Sequence, residues 1–197
     1  MLHTDNPSIA LSSAKEKIKD TAKYLLFTEG RFSATTQQIA QIAHTDRTAI
    51  HYYFRTRTNL VRTIIDEIIN EFPAPSWEDI RDLPLKEKLI RYISYNTEKS
   101  KKYPYLDIYI ITQQEFEGCT EKLFFPWLEM IPEILLCIHD GSIRYNNPVE
   151  FLADLISIVS GYHIAAVYLQ NRSDVILSPT LHDRRTERII NFFLQSM

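Results

Sequence analysis

The stretch Thr35–Arg57, TTQQIAQIAHTDRTAIHYYFRTR, limits the fold more than any other part of the chain, because it holds two helix-start signals with room only for a tight turn between them. Thr35 followed by Gln38 is the pattern of a capping box, which satisfies two backbone N–H groups that a helix start would otherwise leave unbonded. The helix it opens is short, with Ile39, Ala40 and Ala43 inward, and Ala40 is small enough to let a second helix cross close by. After His44 and Thr45, Asp46 is the next N-cap, and Arg47 to Phe54 reads as the second helix. Only Ile50 and Phe54 need face inward. Arg47, Thr48, Ala49 and His51 then form an outer face with Tyr52 and Tyr53 at its margin, which is the pattern of a helix-turn-helix whose second helix meets a partner.

The rest of the chain continues in the same helical idiom. Four glycines in 197 residues argue against a sheet-rich fold with many tight turns, and no glycine-rich phosphate loop or dinucleotide fingerprint is present. A first helix is expected from Ser13, capped with Glu16, to just before Gly30, its stripe being Ile18, Ala22, Leu25 and Leu26. Residues 1–12 lack such a pattern and are expected to form a flexible arm. Thr56 caps a further helix through Leu60, Ile64, Ile65 and Ile68 to about Phe72, where Pro73 and Pro75 stop it. Pro73 to Pro84 reads as a loop anchored by Trp77. Helices follow over Leu85–Lys102, over Leu106–Glu117 ended by Gly118, and over Glu121–His139, kinked at Pro126 or Pro132. Pro148 opens one that runs to about Gln170, and Leu181–Phe193 is the last, giving an all-α chain of about nine helices.

Charge is divided unevenly along the sequence. Residues 1 to 62 hold nine Lys and Arg against five acids, whereas the chain as a whole carries −3. A basic module on an acidic body suits phosphate binding at one end, although a solvated helix face explains so modest an excess equally well. Lys15, Lys17, Lys19 and Lys23 lie mostly off the apolar stripe, where some can approach a nucleic-acid backbone. Two cysteines are too few for a disulfide framework and no secretory leader opens the chain, so a cytoplasmic location is expected. The apolar run Leu152–Leu169 is interrupted by Asp154, Ser157, Ser160, Gly161 and His163, which favours a buried helix over a membrane span. The six histidines show no metal-ligand spacing, and neither a Gly-x-Ser-x-Gly elbow nor a Cys-x-x-Cys pair occurs, so neither metal nor cofactor nor catalytic residue is expected.

The segment from about Lys15 to Ile65 resembles the DNA-binding domain of TetR-type transcriptional regulators. The resemblance rests on Gly30, Thr35, Ile39-Ala40, Ala43, Ile50, Tyr52-Tyr53-Phe54 and Arg57 at matching spacings. Three positions depart from the family pattern: His44 stands where the turn usually has Gly, Arg57 where Lys is commoner, and His51 in place of the first aromatic of the recognition helix. The run Gly141 to Pro148 also resembles the joint before the family's penultimate helix.

The resemblance implies a helix-turn-helix DNA-binding domain at residues 13–57 and a helical effector-binding and dimerisation domain at 58–197. It implies double-stranded DNA, a second copy of the chain and a small-molecule effector as partners, with no membrane. Arg47, Thr48, Ala49 and His51 are expected to approach base edges, and Thr36, Tyr52, Tyr53 and Arg57 the phosphate backbone. The effector pocket is expected among Tyr92, Asn96, Tyr109, Gln113, Trp127, Met130, Tyr162 and His163, within an aromatic-rich region whose rings, taken singly, are more often core than ligand contacts. The dimer interface is expected on Phe151, Leu155, Ile158, Val159, Ile189, Phe192 and Phe193, where an intramolecular core is the alternative. Two recognition helices would then stand ~35 Å apart. The implied function is a ligand-responsive regulator, a repressor released from a palindromic operator by its effector. A helical protein-interaction module and a small-molecule-processing enzyme without DNA binding remain as alternatives.

Overall fold

The structure is a computed structural model that describes residues 7–113, 125–170, 187–189 and 191–192. It is all-α. The helices are α1 (Pro7–Lys23), α2 (Thr36–Ile42), α3 (Arg47–Phe54), α4 (Arg57–Glu71), α5 (Trp77–Ile80), α6 (Leu85–Lys102), α7 (Leu106–Thr112), α8 (Trp127–His139) and α9 (Pro148–Gln170). Residues 187–189 and 191–192, within the expected last helix, are helical as well. α1 begins at Pro7, ahead of the expected cap at Ser13, so part of the expected arm is helical. The segment expected to continue α7 to Glu117, and the expected start of α8 at Glu121, lie outside the described residues.

Two compact units divide the chain. The first comprises the chain up to Glu71 together with α7, and the second begins at Phe72, includes α5 and α6, and resumes with α8 and α9. The first unit therefore extends past residue 57 and is not one continuous segment.

In the first unit α1 runs into a π-helical turn, Tyr24–Thr28, in which the Glu29 N–H reaches the Tyr24 carbonyl at 2.9 Å. The wider turn brings Leu25, Leu26 and Phe27 inward together. Gly30 follows at φ 71°, and a Cβ there would stand 3.0 Å from the ring of Tyr105. Both the left-handed backbone and the close ring call for glycine. All the residues expected to face inward from the first four helices are buried: Ile18, Ala22, Leu25, Leu26, Ile39, Ala40, Ala43, Ile50, Phe54, Leu60, Ile64, Ile65 and Ile68. α7 belongs here because Tyr109 packs edge-on against Phe27 and Phe32, with centroids 5.3 and 5.2 Å away.

Lys19 and Lys23 turn out to face inward, toward Glu67 of α4, with Glu16 of α1 adding a second carboxylate to Lys19 at 2.8 Å. This corrects the expectation for these two cations: their charge ties α1 to α4. Burial works to lower the Lys19 pKa, but Glu16 and Glu67 outweigh it and raise the value. Burial likewise works to raise Glu67, and the two lysines outweigh it and hold Glu67 below its ordinary value.

The second unit is built on α6, α8 and α9. Leu85, Leu89, Tyr92 and Ile93 of α6 meet Met130 and Ile134 of α8 and Phe151, Leu155 and Val159 of α9 in one core. α5 falls within the segment expected to be a loop, started by a capping box between Ser76 and Asp79. Trp77 packs against the core as expected, with the ammonium of Lys88 5.1 Å from its ring centroid and paired with Glu133 of α8. Pro126 is the N-cap of α8, and Pro132 lies inside it, where it removes one backbone hydrogen bond. The portion of α9 from Pro148 to Ala166 has the length and apolarity of a membrane span, yet Phe151, Leu152, Leu155 and Val159 point into the core of this unit.

Candidate nucleic-acid interface

The site is built on the α2–α3 pair. Thr35 Oγ1 accepts from the Gln38 N–H at 3.2 Å while Gln38 Oε1 accepts from the Thr35 N–H at 2.9 Å, which fixes the entry to α2. α2 ends in a Schellman turn. Thr45 N–H reaches the Ala40 carbonyl at 2.9 Å and His44 N–H reaches that of Gln41 at 3.2 Å, with His44 itself at φ 52°. The histidine thus adopts the conformation anticipated for the usual glycine.

α3 opens on Asp46, whose Oδ1 accepts from the Thr48 N–H at 2.7 Å and from the Thr48 hydroxyl at 2.8 Å. These two bonds, the backbone one first, hold the Asp46 carboxyl below its ordinary value. Ile50 and Phe54 are buried and anchor the helix. Arg47, Thr48, His51 and Tyr52 are exposed, with Ala49 and Tyr53 half-buried beside them. The rings of Tyr52 and Tyr53 meet edge-on, 5.1 Å between centroids.

The helix closes in a γ-turn that the sequence did not announce. Arg55 has φ 66° and ψ −51°, and the Thr56 N–H reaches back to the Phe54 carbonyl at 2.7 Å. His51 Nδ1 lies 2.9 Å from the Arg55 carbonyl oxygen. Arg55, exposed at this turn, is the basic residue that sequence reasoning missed. Its position between the aromatic run and the Thr56 cap was the available signal.

All eight residues expected to meet DNA converge on two clefts that share Thr48, His51 and Arg55. The first, about 520 Å³, is also lined by Thr36, Arg47, Thr56 and Arg57. The second, about 460 Å³, adds Ala49, Tyr52 and Tyr53. Arg57 does more than line a cleft. It uses three of the five donors of a guanidinium within the unit, on the Phe32 carbonyl at 2.8 Å, the Ala34 carbonyl at 3.1 Å and the Tyr109 hydroxyl at 3.2 Å. Expected at the phosphate backbone, it also fixes the loop that delivers Thr35 and Thr36.

The residues expected to hold an effector do not all meet. Tyr92 and Trp127 pack 4.3 Å apart at their centroids, with Phe125 4.9 Å from Trp127, and Met130 lies in the same core. Asn96 is buried in the same unit and accepts from the Ser100 hydroxyl at 3.2 Å. Tyr162 is half-buried on α9, and the His163 side chain lies outside the described residues. Tyr109, in α7, and Gln113, the C-cap of that helix, are elsewhere, in the first unit, where the Tyr109 ring packs against Phe27 and Phe32.

The residues expected at a dimer interface also separate. Phe151, Leu155, Val159 and Ile189 lie in the core of the second unit with residues of α6 and α8, the intramolecular alternative for these four. Ile158 and Phe192 are exposed, and Phe193 lies outside the described residues.

No family model matches the sequence, and no curated protein does. Solved structures do. A mutant of HlyIIR with residues 170-185 substituted by alanine matches with a TM-score of 0.65 at 18% identity, over 93% of this chain and 98% of that one. A HlyIIR mutant carrying a linker with two thrombin sites matches at 0.63 and 16% identity, over 93% and 98%, and one with a GSSGSSG linker at 0.61 and 16%, over 93% and 97%. HlyIIR is a TetR-family repressor. At these identities the likeness is one of architecture, and the chain has the fold of a TetR-family repressor.

Proposed function

We propose that this chain is a homodimeric, ligand-responsive repressor that binds a palindromic DNA operator through α3. The observation that carries the reading is the convergence of Thr36, Arg47, Thr48, Ala49, His51, Tyr52, Tyr53 and Arg57 on adjoining clefts. Arg47, Thr48, Ala49 and His51 approach base edges in the major groove. Thr36, Tyr52, Tyr53 and the remaining donors of Arg57 hold phosphates and set the register. Dimerisation is supported by α9, which is apolar on most sides although only 29% of its Pro148–Ala166 portion is buried, with Val149, Ile158 and Leu169 exposed. An effector held near Tyr92 and Trp127 would act through α4, whose last residue leads directly into the second unit in sequence. A shift of a few ångströms between two recognition helices is enough to prevent both half-sites from being engaged together.

The test is selection from randomised duplex DNA by the purified protein, followed by a salt titration of the winning sequence. Enrichment of a two-fold symmetric site, bound with an affinity that falls steeply with salt, is the expected result. A folded protein that enriches no sequence would overturn the reading.

A further inference from the structure

The hydrogen-bond polarity of α3 is set before any partner arrives. A carbonyl oxygen only accepts, so the 2.9 Å contact between His51 Nδ1 and the Arg55 carbonyl requires the proton on Nδ1. In the neutral ring Nε2 is then a bare acceptor. Thr48 is in a comparable position. Its hydroxyl lies 2.8 Å from the Asp46 carboxylate, which also only accepts, so the hydroxyl proton is committed there and the oxygen has only lone pairs left to offer. Both protons are held by groups fixed by the fold: the Arg55 carbonyl at the γ-turn and the Asp46 carboxylate that caps α3.

Resting on the DNA-binding reading above, we infer that Thr48 and His51 read exocyclic amino groups in the major groove, the N6 amine of adenine or the N4 amine of cytosine. These are the hydrogen-bond donors that base pairs present there, whereas guanine offers N7 and O6 and thymine O4, all acceptors. Lone pairs on Thr48 Oγ1 and His51 Nε2 would face those acceptors without a proton between them. Phosphate oxygens are acceptors too, so the same polarity assigns these two side chains to bases. Arg47, at the first position of α3, carries donors only and suits guanine. The helix thus presents one donor group and two acceptor groups, and its operator must present the complement.

Two measurements test this. Nitrogen-15 correlation spectra of the imidazole in the DNA-free protein, at a pH where the ring is neutral, should show His51 as the Nδ1–H tautomer, the less favoured form of free histidine in water. An Nε2–H ring would overturn the inference. In the second, each adenine or cytosine of the selected half-site is replaced by purine or 2-pyrimidinone, which lack only the amino group. One position should lose affinity roughly tenfold with the unaltered protein and lose nothing further with His51→Asn. That side chain retains a donor for the Arg55 carbonyl but lacks the Nε2 acceptor. A second position should behave in the same way with Thr48→Val. An operator insensitive to every analogue, or equally sensitive in the variants, would overturn this inference and leave the DNA-binding reading standing. Failure to select any operator would remove both.

Discussion

His44 ends α2 at φ 52°, where a Cβ crowds the backbone and glycine does not. His44→Gly relieves that crowding but adds freedom to the unfolded chain, so the two effects nearly cancel and stability should move by less than about 0.5 kcal/mol. His44→Val, β-branched in the same conformation, should cost about 1–2 kcal/mol. Urea denaturation of both variants gives the comparison. Gly30 has no such latitude, since φ 71° and the ring of Tyr105 act together, and Gly30→Ala should destabilise by about 1–2 kcal/mol. Glu67 makes a pH prediction. Its pKa in the folded protein lies below the ordinary 4.5, so its contribution is fully present above that value and is lost as pH falls through the folded value. Thermal midpoints should therefore drop below pH 4.5 in the unaltered protein and drop less in Glu67→Gln. That variant should also be roughly 1–2 kcal/mol less stable at neutral pH, because it leaves the mostly buried Lys19 with Glu16 alone.

At the scale of elements, the helices with sharp chemical punctuation were legible in the sequence. Thr35 with Gln38, Asp46 with Thr48, Thr56 and the proline pair at 73 and 75 mark ends by satisfying or removing specific backbone donors, and the helices start and stop beside them. α5 was not legible. Its capping box sits in a stretch bounded by prolines and lasts a single turn, too short for any apolar period to show. Arg57 shows a second kind of limit. A cation after the aromatic run suggested a phosphate contact, and nothing in the local sequence says that Phe32, Ala34 and Tyr109 bring three acceptors to it. Arg57→Ala should lower the stability of the first unit by about 2–3 kcal/mol, and Arg57→Lys should recover little, since an ammonium cannot match the fork of a guanidinium. Thermal unfolding of the two variants beside Tyr109→Phe separates the loop bonds from the phenol bond.

For the whole molecule, the sequence established that α9 is apolar but not which side is covered. A helix apolar on most sides gives no period from which to tell core from interface, and so the sequence leaves both open for Phe151, Leu155 and Val159, which pack with residues of α6 and α8. The exposed positions now make a discriminating pair. Ile158→Glu with Phe192→Glu should shift sedimentation from dimer to monomer with the helical circular dichroism retained, whereas Leu155→Glu should unfold the second unit. A dimer that survives the paired substitution would locate the interface elsewhere.

The place of α7 in the first unit bears on how such chains can be recombined. Tyr109 brings its hydroxyl to Arg57 and its ring to those of Phe27 and Phe32 from a segment that follows the whole of α5 and α6 in sequence. A fragment cut after Glu71 would expose those rings and lose one of the three bonds that steady the loop ahead of α2. The first unit is therefore not a cassette that can be lifted out at a single junction, and a chimera that exchanges it with another chain must carry α7 along.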